Sequence, residues 1–241
     1  MSKFVSFWHG RPLSKIEILS IKSFLYHGHE FHLYTYDSYN DLPDGVIVHD
    51  ANEILNISEI FQFENSYAMF ADIFRYKLLS KNTDFCWVDL DCLCNSNDFT
   101  NLFYKGCFVG EHQGGVIANG VMYFKKYPKV LLFLHKRASS IDLKRMTWSS
   151  TSTSLISEAI DRFNLNQYVV EESEFYELRY EELHKPFYAK YSNELFQRLS
   201  DKKIIHLWNS GYAREGFSPG DFEKKSFLDI MWKKFWGEQN D

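Results

Sequence analysis

The sequence predicts an α/β fold built on a largely parallel sheet. Three observations carry this: a strand–helix–strand unit within the first 36 residues, a long helix that runs straight into an acidic strand at 85–91, and a glycine-punctuated strand pair at 107–126. Strand, helix and strand in that order join parallel neighbours, because a parallel pair needs a crossover between its members.

The elements follow in order. Residues 4–8 (FVSFW) form a short apolar run that ends at His9-Gly10. Pro12 opens a helical pattern in which Ile16, Leu19, Ser20, Ser23, Phe24 and His27 recur at the 3.6-residue period, with Gly28 as the stop. Residues 31–36 (FHLYTY) give a second strand and residues 46–49 a short third. Residues 66–80 (SYAMFADIFRYKLLS) make the best helix, with Ala68, Ala71, Phe74, Leu78 and Leu79 on one side and Ser66 as its cap. Asn82-Thr83-Asp84 turns the chain into the apolar strand FCWVDLD. The block CFVGEHQGGVIANGVMYFKK reads as two strands around Gly114-Gly115, with Asn119-Gly120 as a bend or bulge. Pro128 starts another helix, reaching about residue 139. The serine/threonine tract at 149–154 reads as a loop and cap for the short amphipathic helix LISEAIDRF, not as a linker. Beyond Val169 the chain is less regular and rich in aromatics, up to a strand at 204–208. A loop bearing Gly211, Gly216, Pro219 and Gly220 follows, then an amphipathic helix at 222–235. There is no internal repeat, and one domain over 1–241 is the economical reading.

Composition narrows the function. A chain of 241 residues, 45% apolar and 24% charged, buries a sizeable core. Its 27 Lys+Arg against 32 Asp+Glu give a net charge of −5, which argues against a nucleic-acid binder. The 18% aromatic content suits either a core of large rings or a site that stacks bases and sugars. No uncharged apolar stretch approaches the ~20 residues of a membrane-spanning helix. The opening residues MSKFVSFWHGRPLSK hold no apolar run of secretory-signal length, so the expectation is a cytoplasmic protein with Cys86, Cys92, Cys94 and Cys107 as reduced thiols. Cys92-Leu-Cys94 has no second Cys/His pair at finger spacing, which disfavours zinc.

The sharpest chemical feature is Trp87-Val88-Asp89-Leu90-Asp91. Strand alternation points Asp89 and Asp91 the same way, with Leu90 in the opposite layer. Two carboxylates converging at the end of a buried strand repel unless a cation or strong donors sit between them. Mg²⁺ or Mn²⁺ held by such carboxylates and by substrate phosphates fits, and the plainer reading is a pair of surface aspartates opening a turn. In the preceding helix Asp72 and Arg75 share a face at i, i+3, either as an ordinary helical ion pair or as a polar pair for sugar hydroxyls.

The segment ADIFRYKLLSKNTDFCWVDLDCLC resembles the signature of sugar transferases with a DXD motif, family 32 of the glycosyltransferases and its relatives: Ala-Asp-x-x-Arg-Tyr, a spacer, an aliphatic residue and Asp-x-Asp. The resemblance covers most of the chain loosely, and only this block is diagnostic. It implies a GT-A fold (Rossmann-like, with a mixed, mostly parallel central sheet), a UDP-linked donor sugar, a divalent Mn²⁺ or Mg²⁺, and transfer with retention. On that resemblance Asp72 and Arg75 hold the donor sugar, Asp89 reaches ribose or sugar and the metal, and Asp91 ligates the metal. Phe7, Trp8 and His9 match the nucleotide pocket, Asn119-Gly120 the segment near the donor sugar, and IIHLWNSGY a pattern in which His206 completes the metal shell beside Trp208. Residues 1–125 then form the nucleotide-sugar and metal half, and 126–241 the acceptor side with a C-terminal lid. Two positions depart from the family: Lys81-Asn82-Thr83-Asp84 replaces a Gly-Gly, and Trp148-Ser149-Ser150 stands where a Gly-Pro is usual.

The loop at 210–220 reads equally as a surface loop or as a lid in which Tyr212 and Arg214 cover the diphosphate. The last helix reads first as one packed on the core with a solvated lysine face. Its alternative is peripheral contact with the inner face of the cell membrane, where a lipid-linked saccharide acceptor of capsule-type polysaccharide synthesis resides. Two rivals to the transferase remain. One is a non-catalytic nucleotide-sugar or carbohydrate binder on the same fold. The other is a metal-dependent phosphatase, which wants Asp-x-Asp after the first strand.

Overall fold

The computed structural model describes residues 1–212 and 214–236. In chain order the elements are β1 (Lys3–Trp8), α1 (Lys15–Tyr26), β2 (Glu30–Thr35), β3 (Ile47–Asp50), α2 (Ala68–Lys81), β4 (Cys86–Val88), β5 (Cys92–Cys94), α3 (Thr100–Lys105), β6 (Phe108–His112) and β7 (Val116–Tyr123). Then come α4 (Pro128–Ser139), α5 (Thr153–Arg162), β8 (Val169–Val170), α6 (Glu172–Phe175), α7 (Ser192–Leu199), β9 (Ile204–His206), α8 (Asn209–Tyr212) and α9 (Phe227–Trp236), with short 3₁₀ turns between them. Seven strands form one mixed sheet in the order β3-β2-β1-β4-β7-β6-β8, and β5 pairs with β9 in a separate two-stranded sheet. The strands β3, β2, β1 and β4 run parallel, β7 is antiparallel to both β4 and β6, and β8 is parallel to β6. This is the α/β architecture with a mostly parallel sheet that the sequence predicts.

Alternation along the strands feeds two core layers. On one face Val5, Phe7, Trp87, Val109 and Met122 pack against α2, α4 and α5; on the other, Phe4, Leu33, Cys86, Val88 and Val121 pack against α1 and α3. A third cluster lies beyond α1, where Ile16 and Leu19 meet Leu93, Leu195, Ile205, Phe227 and Met231. Helix α1 is therefore covered on both sides. Its buried serines serve β5: Ser23 Oγ accepts from Cys94 N at 2.8 Å, and Ser20 Oγ donates to the Cys92 carbonyl at 2.7 Å. A capping box of Ser14 and Glu17 starts α1, two residues after Pro12, and Gly28 at φ 76° ends it.

Three expectations change, two in the long helix and one in the acidic strand. The best helix is not one-sided: Met69, Phe70, Asp72, Ile73, Phe74, Arg75, Tyr76, Leu78 and Leu79 are all buried, because α4 covers the side away from the sheet. Tyr67 holds its cap position, while Ser66 Oγ still accepts from Ala68 N at 3.2 Å. The acidic strand stops at Val88. Asp89–Cys92 is a turn closed by Cys92 N donating to the Asp89 carbonyl at 3.1 Å, and β5 then leaves the main sheet. The last helix buries Phe227, Leu228, Met231 and Phe235, and Trp232 stacks on Trp236 at 5.0 Å, with Lys22 of α1 over the Trp236 ring at 3.8 Å. Its aromatic side thus packs on the protein. All four cysteines are buried free thiols, and among the described residues no helix is long and apolar enough to cross a membrane.

The hairpin turns at Gly114 and Gly115, both at positive φ, as expected. Within β7 the register slips: Val109 faces Met122, yet Gly110 faces Ala118, so residues 119–121 bulge out of the β6 ladder. The bulge still serves β4, since Val88 faces Val121 and Asp89 N donates to the Gly120 carbonyl at 2.8 Å.

Candidate functional site

From β1 the chain runs outward to β2 and β3, and α2 then returns it to β4 on the other side of β1. At such a reversal a crevice opens outside the carboxyl ends of the strands. A cavity of about 550 Å³ lies there. The end of β1 lines it with Phe7, Trp8 and His9, α2 with Asp72 and Arg75, and the β4–β5 turn with Asp89 and Asp91. The β7 bulge adds Asn119 and Gly120, and the end of β9 adds His206 and Trp208. Tyr212 does not line it. Its ring is fully buried in the third cluster, edge-on to Phe187 at 4.7 Å, which rules out the lid position expected for it. Arg214 is exposed and stands 4.9 Å over the ring of Trp148, itself a cavity residue, so it sits behind the rim.

The floor is a buried polar network. Arg75 pairs with Asp72 at 3.2 Å and with Asp89 at 3.1 Å, donates to the Asn119 carbonyl, and lies over the Trp87 ring at 4.6 Å. Asp72 accepts from Asn119 Nδ2 at 2.8 Å and from the Thr151 hydroxyl at 2.7 Å; Asp89 accepts from the Trp87 indole at 2.8 Å. Tyr76 closes the ring, accepting from Asn119 and donating to the Thr151 carbonyl. Burial pushes the Asp72 carboxyl up, against the pull of Arg75, Thr151 and Asn119. Burial also opposes the charge on Arg75, and Asp89 and Asp72 hold it on. The pair is thus no solvated helical ion pair but a fixed charge array under the cavity.

Asp91 is held differently. Its Oδ2 accepts from Asn209 N at 2.8 Å, while the buried Oδ1 has no hydrogen bond and lies 3.3 Å from His206 Nε2. Burial pushes this carboxyl up; His206 opposes the rise and Asp89 adds to it. Trp208 N donates to His206 Nδ1 at 3.2 Å, which assigns the ring proton to Nε2. In the ligand-free tautomer that proton faces Asp91 Oδ1; an ion at Nε2 would displace it to Nδ1, so His206 keeps its place among the candidate metal ligands. Asp91, Cys92 and His206 place ligand atoms within 4.8 Å of one another. Burial, with Asp91 and Asp89 beside it, pushes the Cys92 thiol up in the ligand-free protein. An orphaned buried carboxylate oxygen beside a second carboxylate suits a hard divalent cation.

Gly120 shapes this corner. A Cβ there would lie 3.0 Å from Asp89 Oδ2, 3.0 Å from the Tyr176 hydroxyl and 3.3 Å from His206 Nε2. Its φ is not in the left-handed region, so space and not conformation calls for glycine. Gly120→Ala is expected to move the melting temperature by no more than about 3 °C, since crowding offsets the entropy gained. Its Mn²⁺ affinity in a calorimetric titration should fall about tenfold, because Asp89 must swing away. Unchanged affinity would show that the methyl fits.

At the β1 end, Asp37 Oδ2 accepts from Gly10 N at 2.9 Å, from the Tyr39 hydroxyl at 3.0 Å, and contacts His9 Nδ1 at 2.7 Å. Burial would raise Asp37, but these donors draw it below its usual value. Tyr36 and Tyr67 set their edges against the His9 ring, and Trp8 lies under the Arg11 guanidinium at 4.6 Å. Phe7 lines the cavity but mainly stacks on Phe74 at 4.4 Å. Trp208 adopts φ 60°, a strained value, with its indole donating to the Leu178 carbonyl at 2.6 Å.

Sequence reasoning missed Thr151, Tyr76, Tyr176, Asp37, Glu17 and Asn209. Glu17 is fully buried, accepts from Arg11 at 3.1 Å and from the Asn209 amide, and so ties α1 to the residue that holds Asp91. Two of these carry a signal: Asp37 sits at the carboxyl end of β2, and Glu17 is the third helical residue of a capping box. Thr151 and Tyr176 lie in irregular segments with no periodicity to mark them.

No protein-family profile matches the chain, and no curated protein matches it in sequence. Solved structures do match. The PaToxG glycosyltransferase aligns over 98% of this chain and 86% of its own, at 13% identity and a TM-score of 0.50. The apo form of the glycosyltransferase GlyE from Streptococcus pneumoniae TIGR4 aligns over 99% of this chain at 14% identity and a TM-score of 0.57. The bifunctional glycosyltransferase WbbM aligns over 99% at 10% identity and a TM-score of 0.53. This chain spans 60% of the GlyE chain and 50% of the WbbM chain. Likeness at these identities is likeness of fold: the chain has the glycosyltransferase fold of the GT-A type.

Proposed function

We propose that this protein is a metal-dependent glycosyltransferase of the DXD kind, resembling family 32, that moves a sugar from a UDP-sugar to a saccharide hydroxyl in surface polysaccharide synthesis. The observation that carries the reading is the convergence of Asp72–Arg75 and Asp89–Asp91 on one cavity at the carboxyl ends of β1 and β4, in a fold shared with glycosyltransferases. The His9–Asp37 end receives the nucleoside, with Trp8 and Tyr67 as aromatic walls. Asp89 and Asp91 hold a divalent Mn²⁺ or Mg²⁺, which when bound neutralises charge growing on the departing diphosphate. Asp72 and Asn119, locked by Arg75 and Thr151, accept from and donate to sugar hydroxyls.

The three carboxylates that line the cavity each hold partners: Asp72 has Arg75, Asn119 and Thr151, Asp89 has Arg75 and Trp87, and Asp91 has Asn209 through Oδ2 while its Oδ1 has no hydrogen bond. The resemblance to family 32 implies retention, and since no carboxylate stands out as a nucleophile, the reading is attack by the acceptor hydroxyl from the face of the leaving group. The bond from the anomeric carbon to the diphosphate breaks as the bond to the acceptor oxygen forms, and the acceptor proton passes to the departing phosphate oxygen. Residues 1–125 supply most of the donor side and 126–241 the acceptor side.

Calorimetric titration with UDP, GDP and CMP, each with and without Mn²⁺, tests this. Binding of UDP alone among them, and only with Mn²⁺, followed by slow UDP-sugar hydrolysis without acceptor, is expected. Binding without any donor hydrolysis would make the protein a binder on the same fold. No nucleotide binding by folded protein would end the reading.

A further inference from the structure

One core side chain of the cavity carries a polar group that the fold does not use. Tyr176 follows α6, and its ring is 1% exposed; its hydroxyl is buried without a hydrogen-bond partner among the described residues. Two glycines on adjacent strands make the slot that holds it. A Cβ on Gly110 of β6 would lie 2.7 Å from Tyr176 Cε2, and a Cβ on Gly120 of β7 would lie 3.0 Å from its hydroxyl oxygen. The ring is braced by His206 at 5.1 Å and Trp208 at 5.7 Å. Two side chains are thus omitted from the sheet to bring one phenol oxygen to the cavity wall. Phenylalanine would fill the same slot without burying an unsatisfied hydroxyl, which costs stability. An unsatisfied hydroxyl on a cavity wall is free to meet a bound ligand.

We propose that the Tyr176 hydroxyl donates a hydrogen bond to an oxygen of the donor's diphosphate, bound in the space over Gly120 between Asp89 and His206. This rests on the transferase reading of the site and extends it to a residue outside the acidic motif. The wall there is acidic, with Asp89 and Asp91 on it, and an anionic oxygen settles against it only where donors and a cation offset the repulsion. Tyr176 supplies one such donor beside the Gly120 space. Burial, with Cys92 and Asp89 beside it, keeps the phenol protonated throughout the working range, so the group acts as an O–H donor and not as a base.

The test is Tyr176→Phe, which deletes one oxygen and keeps the packing. Three quantities are measured on full-length wild type and variant: the melting temperature without ligand, Mn²⁺ affinity alone, and UDP affinity at saturating Mn²⁺. The ligand-free variant is expected to melt at or above the wild-type temperature, to bind Mn²⁺ equally, and to bind UDP about tenfold more weakly, as for loss of a hydrogen bond to a charged group. A structural hydroxyl would give the opposite sign in melting, and a lower melting temperature overturns the proposal. Equal UDP affinity in a wild type that binds UDP overturns it alone. A wild type that takes up no UDP overturns the reading of the site, and this assignment with it.

Discussion

Asp91→Asn is expected to reduce sugar transfer by at least about a thousandfold while leaving the ligand-free protein as stable as the wild type at neutral pH. The two halves of this expectation come from different atoms. The Asp91 carbonyl accepts from Leu207 N at 2.8 Å and its Oδ2 accepts from Asn209 N at 2.8 Å; an asparagine keeps both bonds if its amide oxygen takes the Oδ2 place. The amide nitrogen then replaces Oδ1, the buried oxygen that faces the cavity without a hydrogen bond. A donor in that place repels a cation and meets the Nε2 proton of His206. The carboxylate is also a liability without a ligand: burial raises its pKa above 3.8, so the folded chain binds its proton more tightly than the unfolded chain does. Stability that this group lends by being protonated is present at low pH and is lost as pH rises from the unfolded value through the raised one. Asp72 acts in the same direction. The wild type should accordingly melt higher in mild acid than at neutrality when free of metal, and Mn²⁺ should recover the difference. Melting curves with and without Mn²⁺ across that range check this. If Asp91→Asn still gains stability from Mn²⁺ as the wild type does, the ion is held elsewhere.

The parts of this site that are legible in the sequence are those whose partners are close along the chain. Asp72 and Arg75 share a helix face, Asp89 and Asp91 share a turn, and Asn119-Gly120 declares a break in a strand, so spacing alone places each pair. The strand–helix–strand opening and the glycine hairpin are local patterns too, and the parallel sheet follows from them. What spacing cannot reach is the pairing between distant segments. Thr151 meets Asp72 across 79 residues and Asn209 meets Glu17 across 192, and a threonine in a low-complexity tract looks the same whether it caps a helix or locks a buried aspartate. Tyr212 shows the converse error. A tyrosine after a glycine looks like a lid residue, but Gly211 is there because Leu183 and Tyr180 pack against it, where a Cβ would lie 2.7 Å and 2.9 Å from their carbons. The close approach that sends Tyr212 inward is invisible without the third cluster. Strand alternation likewise placed both aspartates correctly on one cavity for a reason that does not hold, since the strand ends before them and the turn does the aiming.

Arg75→Met carries the largest expected effect on stability, a loss of about 3–5 kcal/mol, together with loss of transfer. Methionine keeps an unbranched apolar stem against the Trp87 ring, so packing is largely preserved and the change isolates the charge. Arg75 is 5% exposed and is the only cation paired with Asp72, itself 5% exposed, among the described residues. Without it Asp72 keeps its bonds from Asn119 and Thr151 but stands as an unpaired buried carboxylate, and Asp89 loses a second tether to the floor. The carboxyl of Asp72, already raised by burial, is pushed further up, and the variant folds best with it protonated. Stability should then fall more steeply with rising pH than in the wild type, from the unfolded value upward through the raised one, because the unfolded chain has already released that proton. Adding Asp72→Asn removes the buried charge while leaving an amide oxygen for Thr151, so the double variant should regain part of the loss and lose the extra pH slope, yet remain inactive. This pattern separates a charge array that positions the sugar from a pair that merely holds the helix. A single variant within about 1 kcal/mol of wild type would mean that solvent already screens Asp72, contrary to its burial beneath the cavity.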